Sequence, residues 1–511
     1  MDIVRLLARA MLPIVLCPLL LQAQALTSIT SLYVTLSTRR VTANPTGELK
    51  ARLDSLDRDM LAANRAGQLS QVRRLLAKGN TLLAGRAWTD VADFNNSLLL
   101  RSDRVVVESQ TPYAVRLEQM YAPAIDLPRA LTAHATLTAR AVGIPVQQPR
   151  VVKDFGAFDG VSRDLREAPF AMELDLHDVP DGRYVVVVDV SDSVRVIGSA
   201  TLSIAVRNGI DETVRTLASA AARAPESQRA ELLFPSDRLR NVNRGRLELR
   251  TWDFEKDFAI ADTLRLAVQA KKDPFAKRTG DMKRHYTLDA AHEVMPYRLY
   301  VPSTYVPSAP MPLIVALHGL GSTEDTFFDG YGKKLPLLAE QHGYIVVSPL
   351  GYRVDGGYGW GVDAPPTDAV ARRSAELSEM DVMQALATVR TLYNVDPNRI
   401  YLMGHSMGAI GTFKLAPKYA DMWAAIGAFS GQGTPATVER MKSIPAFVVH
   451  GDADPTVNVR GSRAMVEAMK AAHVDVTYIE VPGGNHSNVV EPNLAGMMQF
   501  FDARKKSAVG R

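Results

Sequence analysis

Apolar residues change their spacing several times along this chain, and each change marks a different kind of element. Between about 46 and 90, Leu49, Leu53, Leu56, Met60 and Leu61, then Leu69, Val72, Leu75 and Leu76, recur at three- and four-residue steps. That is the period of helices with one buried face, and Gly67 falls where two of them would part. From 104 to 207 the step shortens to two, in runs at 104–108, 113–120, 131–141, 170–176, 184–190 and 194–206. Turn residues such as Asp181 and Gly182 separate several runs, so a small antiparallel β-sandwich of six or seven strands is expected. Helical steps return from 211 to 275, broken at Pro225 and Pro235. Beyond residue 285, short and nearly continuous apolar runs at 313–317, 344–347, 400–403, 424–428, 446–449 and 476–479 alternate with amphipathic stretches, clearest at 373–392 and 462–472. Strands apolar on both sides and joined by helices imply an α/β domain with a mostly parallel sheet covered on both faces, to which 285–301 adds an antiparallel edge hairpin.

The first 25 residues follow a different pattern. Arg5 and Arg9 precede an apolar run from 10 to 21, and Ala23-Gln24-Ala25 is a small-x-small site, which predicts a cleaved secretory signal. The run is too short for a spanning helix and carries Pro13 and Pro18. The chain's one cysteine, Cys17, follows Leu16 rather than a small residue, which disfavours lipid anchoring. A chain cut after residue 25 has no thiol, so disulfides, cysteine nucleophiles and cysteine-ligated zinc are excluded, and a secreted or periplasmic location is expected. The expected organisation is a signal peptide at 1–25, a helical segment at 26–103, a β-sandwich-like domain at 104–208, a helical linker region at 209–284 and an α/β domain at 285–511. With 59 basic and 55 acidic residues spread along 511 positions, the chain has no electrostatic footprint for nucleic acid.

In open parallel sheets, reactive groups collect at the carboxyl ends of the strands. The run 400–403 leads directly into Gly404-His405-Ser406-Met407-Gly408 and then into helical sequence, the strand–turn–helix setting of a nucleophile elbow. Ser406 is the candidate nucleophile. A serine hydroxyl needs a base to take its proton, and His486, in the loop after the last predicted strand, is placed to serve. The imidazole in turn needs a carboxylate. The run 446–449 ends in His450-Gly451-Asp452-Ala453-Asp454-Pro455, and Asp454, further into the loop, is favoured over Asp452, which suits a turn-capping role. Oxyanion donors are expected from the backbone amides of Met407, at the start of the helix, and of Leu320, in His318-Gly319-Leu320-Gly321 after run 313–317. His318 reads as structural. Tyr358 and Trp360, on the glycine-rich loop 351–361, are candidates for substrate contact with ordinary packing equally open, and His405 beside the nucleophile could touch substrate but is read rather as packing. Asp325, Asp329 and Asp363 lack metal-ligand spacing, so neither metal nor cofactor is expected.

Taken together, the segments 317–321, 404–408, 450–454 and 483–486, in the chain order Ser406, Asp454, His486, resemble the α/β-hydrolase superfamily. Over residues 285–505 the chain looks like a secreted esterase of the polyhydroxybutyrate-depolymerase and feruloyl-esterase-like group, with a second similarity to the prolyl-oligopeptidase catalytic domain. Ala409 stands where many relatives have a further glycine. The resemblance implies a serine esterase that cleaves small-molecule or polymeric carboxylic esters through an acyl-enzyme. A prolyl-oligopeptidase-like peptidase would use the same atoms, but no four-stranded blade repeat precedes the domain. In a third reading, residues 26–283 form a binding module that contacts a polymer or the cell envelope, with a scaffold that covers or rigidifies the α/β domain as an equally open alternative.

Overall fold

The three- and four-residue steps of the early leucines are realised as helices. α1 (Ile29–Ala43), α2 (Gly47–Arg65) and α3 (Leu69–Leu83) bury Leu36, Leu53, Leu56, Met60, Val72 and Leu76 against one another, and α4 (Asp90–Ser97) follows. Gly67 turns the chain between α2 and α3 at φ 69°. The computed structural model describes residues 29–125, 131–139, 150–192, 194–249, 252–275, 278–366 and 368–506. The expected signal peptide and Cys17 lie outside these residues.

Two compact units divide the chain. The first comprises residues 97–208 and 240–252, the second residues 27–96, 209–239 and 253–511. Among the described residues of the first unit, eight strands form two sheets: β1 (Leu98–Ser102), β2 (Val106–Val107), β3 (Tyr113–Gln119), β4 (Leu131–Ala139), β5 (Val151–Val161), β6 (Phe170–Leu174), β7 (Gly182–Ser191) and β8 (Val196–Val206). The orders are β1-β3-β6 and β2-β8-β7-β4-β5. Three features depart from the expected antiparallel sandwich. The strand expected at 104–108 is two residues long and pairs parallel with β8, Val106 opposite Ala205. β1 and β5 are additional. β1 opens on three consecutive leucines with no alternation to read, and β5 is an edge strand with one fully buried residue, Val161, and two glycines at positive φ, so neither carries a period-two signal.

In the second unit, α5 (Ile210–Arg223), α6 (Glu226–Asn243) up to residue 239 and α7 (Phe254–Gln269) precede the main sheet, whose strands are β9 (Gly280–Leu288), β10 (Glu293–Val301), β11 (Met311–Leu317), β12 (Ile345–Pro349), β13 (Val395–His405), β14 (Ala425–Phe429), β15 (Ala446–Gly451) and β16 (Val476–Val481). Their order is β16-β15-β14-β13-β11-β12-β10-β9, parallel except for the pairs that β10 makes with β9 and β12. Alternate residues of β11 face opposite cores. Leu313, Val315 and Leu317 join the layer that holds α10 (Ala369–Leu392), α11 (Met407–Lys418) and α12 (Arg460–Ala471), while Ile314 and Ala316 join the layer of α8 (Thr326–Asp329), α9 (Lys334–His342) and α13 (Val490–Asp502). The chain leaves β11 for β12 on one side and returns to β13 on the other, so strand order reverses at β11 and a crevice opens above the ends of β11 and β13.

The sheet begins at Gly280, five residues before the position expected from apolar spacing. The reason is Arg284, a charge that occupies a buried position of β9. Its Nε donates to Glu231 Oε1 of α6 at 2.6 Å, its guanidinium lies 4.0 Å from the Phe275 ring centroid, and the same carboxylate accepts from the His285 backbone and ring. Both partners are nearly inaccessible, 5% and 4% exposed, and burial opposes their ionisation while their attraction holds Glu231 below and Arg284 above their ordinary ranges. The stretch 209–284, expected as a linker, thus supplies a counter-ion to the core of the sheet.

Candidate functional site

β13 ends at His405, and the chain turns into α11 through Ser406, whose φ of 58° and ψ of −119° place it outside every region that ordinary residues favour. Two glycines make that turn possible. A Cβ on Gly404 would stand 2.2 Å from the Gly408 carbonyl carbon, and one on Gly408 would stand 1.9 Å from the Leu317 carbonyl oxygen at the end of β11. The Ser406 amide is fixed by the Phe429 carbonyl of β14 at 2.9 Å.

Above this turn the structure brings together three side chains from distant parts of the sequence. His486 Nε2 lies 2.8 Å from Ser406 Oγ, and its Nδ1 lies 2.7 Å from Asp454 Oδ2. With Nδ1–H donating to the carboxylate, Nε2 is the acceptor for the serine proton. The Asp454 side chain is fully buried, and Oδ1 accepts the Thr456 and Val457 amides at 2.8 and 3.0 Å. Burial alone would raise this carboxyl's pKa, but hydrogen bonds from His450, His486 and the Val457 amide outweigh it and hold the group well below the ordinary carboxylate range. Asp452 does something different, because its Oδ1 accepts the Gly483 amide at 2.6 Å and so pins the turn that leads to His486.

The turn after β11 closes over the same spot. A Cβ on Gly319 would stand 3.4 Å from Ser406 Cβ, so the Gly319–Leu320 backbone passes directly beside the hydroxyl. The Gly321 and Ser322 amides are engaged, with the Val354 and Gly319 carbonyls at 2.8 and 3.1 Å. The Met407 amide lies in the first turn of α11, where the helix dipole favours negative charge. His318 is wholly buried, its Nε2 is 2.7 Å from the Leu350 carbonyl, and burial pushes its pKa down, which fits the structural role expected of it.

The three candidates for substrate contact are buried to different degrees. Tyr358 has no exposed surface; its hydroxyl donates to the His318 carbonyl at 3.1 Å and its amide to Ser378 Oγ of α10 at 3.0 Å. It anchors the glycine-rich loop in the core, so it does not contact substrate. Glycine at 351, 359 and 361 adopts positive φ, which folds the loop inward and buries the ring that an exposed loop would have displayed. Trp360 is half-buried beneath the Lys418 ammonium, 5.4 Å from its ring centroid. His405 is buried too. Its Nε2 donates to the His486 carbonyl at 2.8 Å, its Nδ1 accepts the Tyr331 hydroxyl at 2.8 Å, and burial lowers its pKa to about 4, so the ring is neutral. It supports the backbone of His486 from below. Tyr331 was not distinguishable in the sequence, because a tyrosine between glycines has no pattern that links it to residue 405.

These residues lie within a recognisable stretch. A family model described as phospholipase/carboxylesterase matches residues 306–503. A feruloyl esterase B of Neurospora crassa is 34% identical over 131 residues, which cover 25% of this chain and 42% of that protein. A bifunctional acetylxylan esterase/xylanase of Neocallimastix patriciarum is 28% identical over 160 residues, 31% of this chain and 21% of that protein. The chain therefore spans less than half the length of these curated relatives. Among solved structures, a ferulic acid esterase of the anaerobic fungus Anaeromyces mucronatus aligns at 18% identity and a TM-score of 0.36, covering 46% of this chain and 93% of that one.

Proposed function

Taking the second unit's sheet and its helices as an α/β-hydrolase, we propose that the chain is a serine esterase that hydrolyses carboxylic esters through Ser406, His486 and Asp454. The observation that carries this reading is the unbroken path from Ser406 Oγ through the two His486 nitrogens to Asp454, with steps of 2.8 and 2.7 Å. Ser406 Oγ attacks the ester carbonyl while His486 Nε2 takes its proton, and the negative oxygen that forms is met by the amides of Met407 and Leu320. The imidazolium, stabilised by Asp454, gives its proton to the departing alcohol and leaves an acyl-serine. Water, deprotonated by the same nitrogen, then releases the acid. Each oxyanion donor contributes about 3 to 4 kcal/mol to such a step. The names of the relatives point to feruloyl and acetyl esters as the first substrates to offer.

The test is a screen of purified protein against short-chain, acetyl, feruloyl and polymeric esters, alongside labelling with a fluorophosphonate. Hydrolysis of at least one class is expected, with the phosphonate adduct mapped to Ser406 by peptide mass. Labelling of another residue, or none, overturns the reading.

His405 offers a second check. Replacing it with Phe removes the support beneath the His486 carbonyl while deleting none of the proposed reacting groups, and small misplacement of a catalytic group is costly. kcat is expected to fall about tenfold or more with KM changed far less, and His405→Gln, which retains a donor, should recover part of the loss. Equal kcat in all three proteins would show that the support is dispensable.

We also propose that the chain is exported. Residues 5–25 support this, and the N-terminal residue of the protein recovered from the producing cells tests it, with residue 26 as the expected first residue.

A further inference from the structure

Asp454 is bound to two imidazoles, and the second belongs to His450 in β15. The His450 side chain is wholly inaccessible. Its Nε2 lies 3.1 Å from Asp454 Oδ2 and 3.0 Å from the Val457 carbonyl, and its Nδ1 lies 2.7 Å from Ser462 Oγ of α12. Ser462 Oγ also donates to the Gly431 carbonyl at 2.7 Å. The protons in this chain can be counted. A carbonyl only accepts, so the single proton of Ser462 goes to Gly431, and the serine oxygen must then accept from His450 Nδ1–H. On the other side of the ring, a carboxylate and a carbonyl both only accept, so Nε2 must donate as well.

We propose that His450 is a buried imidazolium paired with Asp454, and that it acts as a positioning residue which fixes this carboxylate and shares its charge with His486. The ionised state of Asp454 agrees with this, since donors meet both of its oxygens. The titratable groups around the pair come from four elements. They are Asp454 itself; Glu480 of β16, opposite His450 in register and hydrogen-bonded by Arg463 and Tyr478; His486 from the last loop; and His405 from the elbow. Of the carboxylates, Glu480 is already neutralised by Arg463, which leaves Asp454 as the anion for His450.

The functional consequence follows from sign. When His486 takes the serine proton it becomes a second cation on one carboxylate, and like charge disfavours it. The single anion of Asp454 is therefore divided between His450 and the charge that develops on His486 during the reaction. His450→Gln can keep an N–H directed at Asp454 without the charge. The acid limb of kcat/KM is expected to move up by about one pH unit in this variant.

The role rests on the reading of Ser406, His486 and Asp454 as the reacting groups, so two measurements are paired. In the full-length protein labelled with 15N-histidine, a spectrum at pH 8 should show a ring with both nitrogens protonated among the ten histidines, and this signal should vanish in His450→Gln. A wild-type spectrum with no doubly protonated ring overturns the proposal, even if the variant fails to fold or no ester is cleaved. The pH profile of a short-chain aryl ester then tests charge sharing: an acid limb that stays in place in a folded variant overturns that part, whereas absence of any turnover counts against the esterase reading alone.

Discussion

Ser406→Ala is expected to lose ester hydrolysis, with kcat falling by about 10⁶-fold, and to leave the protein folded. The magnitude is that of removing the nucleophile from a residue set that acts as a unit, where the remaining imidazole and oxyanion donors retain only a small fraction of the rate enhancement. The fold survives because nothing else depends on the hydroxyl. The strained turn is held by the Ser406 amide on Phe429 and by the flanking glycines, and alanine presents the same backbone and the same Cβ. Initial rates on the best ester from the screen, measured beside a thermal melt, check both halves. Retention of more than a few per cent of the wild-type rate would assign the chemistry to another residue.

Gly408→Ala should have the largest effect on stability of any one-carbon change in the site. The added carbon would lie 1.9 Å from the Leu317 carbonyl oxygen, 2.5 Å from its carbon and 2.8 Å from the His318 carbonyl oxygen, all of them backbone atoms. No side-chain rotation relieves such contacts, so β11 and α11 must separate, and the turn beside Gly319 moves with them. A loss of about 4 kcal/mol is expected, the range reserved for severe overpacking. Any molecules that remain folded should also be inactive, since the displaced segments hold both the Ser406 hydroxyl and the amides of Met407 and Leu320 that we propose meet the oxyanion. Gly343→Ala is the control. Its backbone sits at a φ of 72° with open space around it, so the added carbon meets only the left-handed strain and should cost about 1 kcal/mol. Chemical denaturation of the two variants compares them directly, and similar midpoints would mean that the elbow yields more readily than its contacts imply.

What the sequence made legible was whatever repeats with a period or sits at the end of a periodic segment. The parallel strands were visible because both faces are apolar, and the elbow because glycine is required twice in five residues. Asp454 was separable from Asp452 by its place in the loop, and the structure brings Asp454, not Asp452, to His486. Less legible were residues whose role depends on another part of the chain. Tyr358 looked available for substrate because a glycine-rich loop is usually exposed, yet it is turned inward, and His405, read as packing, has a specific partner in the His486 carbonyl that the sequence did not show. Arg284 hid the start of β9 because only Glu231, 53 positions earlier, makes a charge tolerable there. Tyr331 and Ser462 gave no sign at all, since one hydroxyl aimed at one imidazole leaves no periodic trace.

The Glu231–Arg284 pair also bears on where this molecule can be cut. The segment matched by the phospholipase/carboxylesterase model begins at residue 306, but a fragment that starts at 280 discards the anion opposite Arg284 together with α6 and Phe275, and so uncovers a charge and an apolar face of β9 and β10 that the whole chain buries. Removing one member of such a pair typically costs about 3 to 5 kcal/mol, comparable to the whole margin by which many proteins stay folded. The smallest autonomous version of this domain is therefore longer than its homology, and trimming it for expression or crystallisation should preserve α6 along with the sheet.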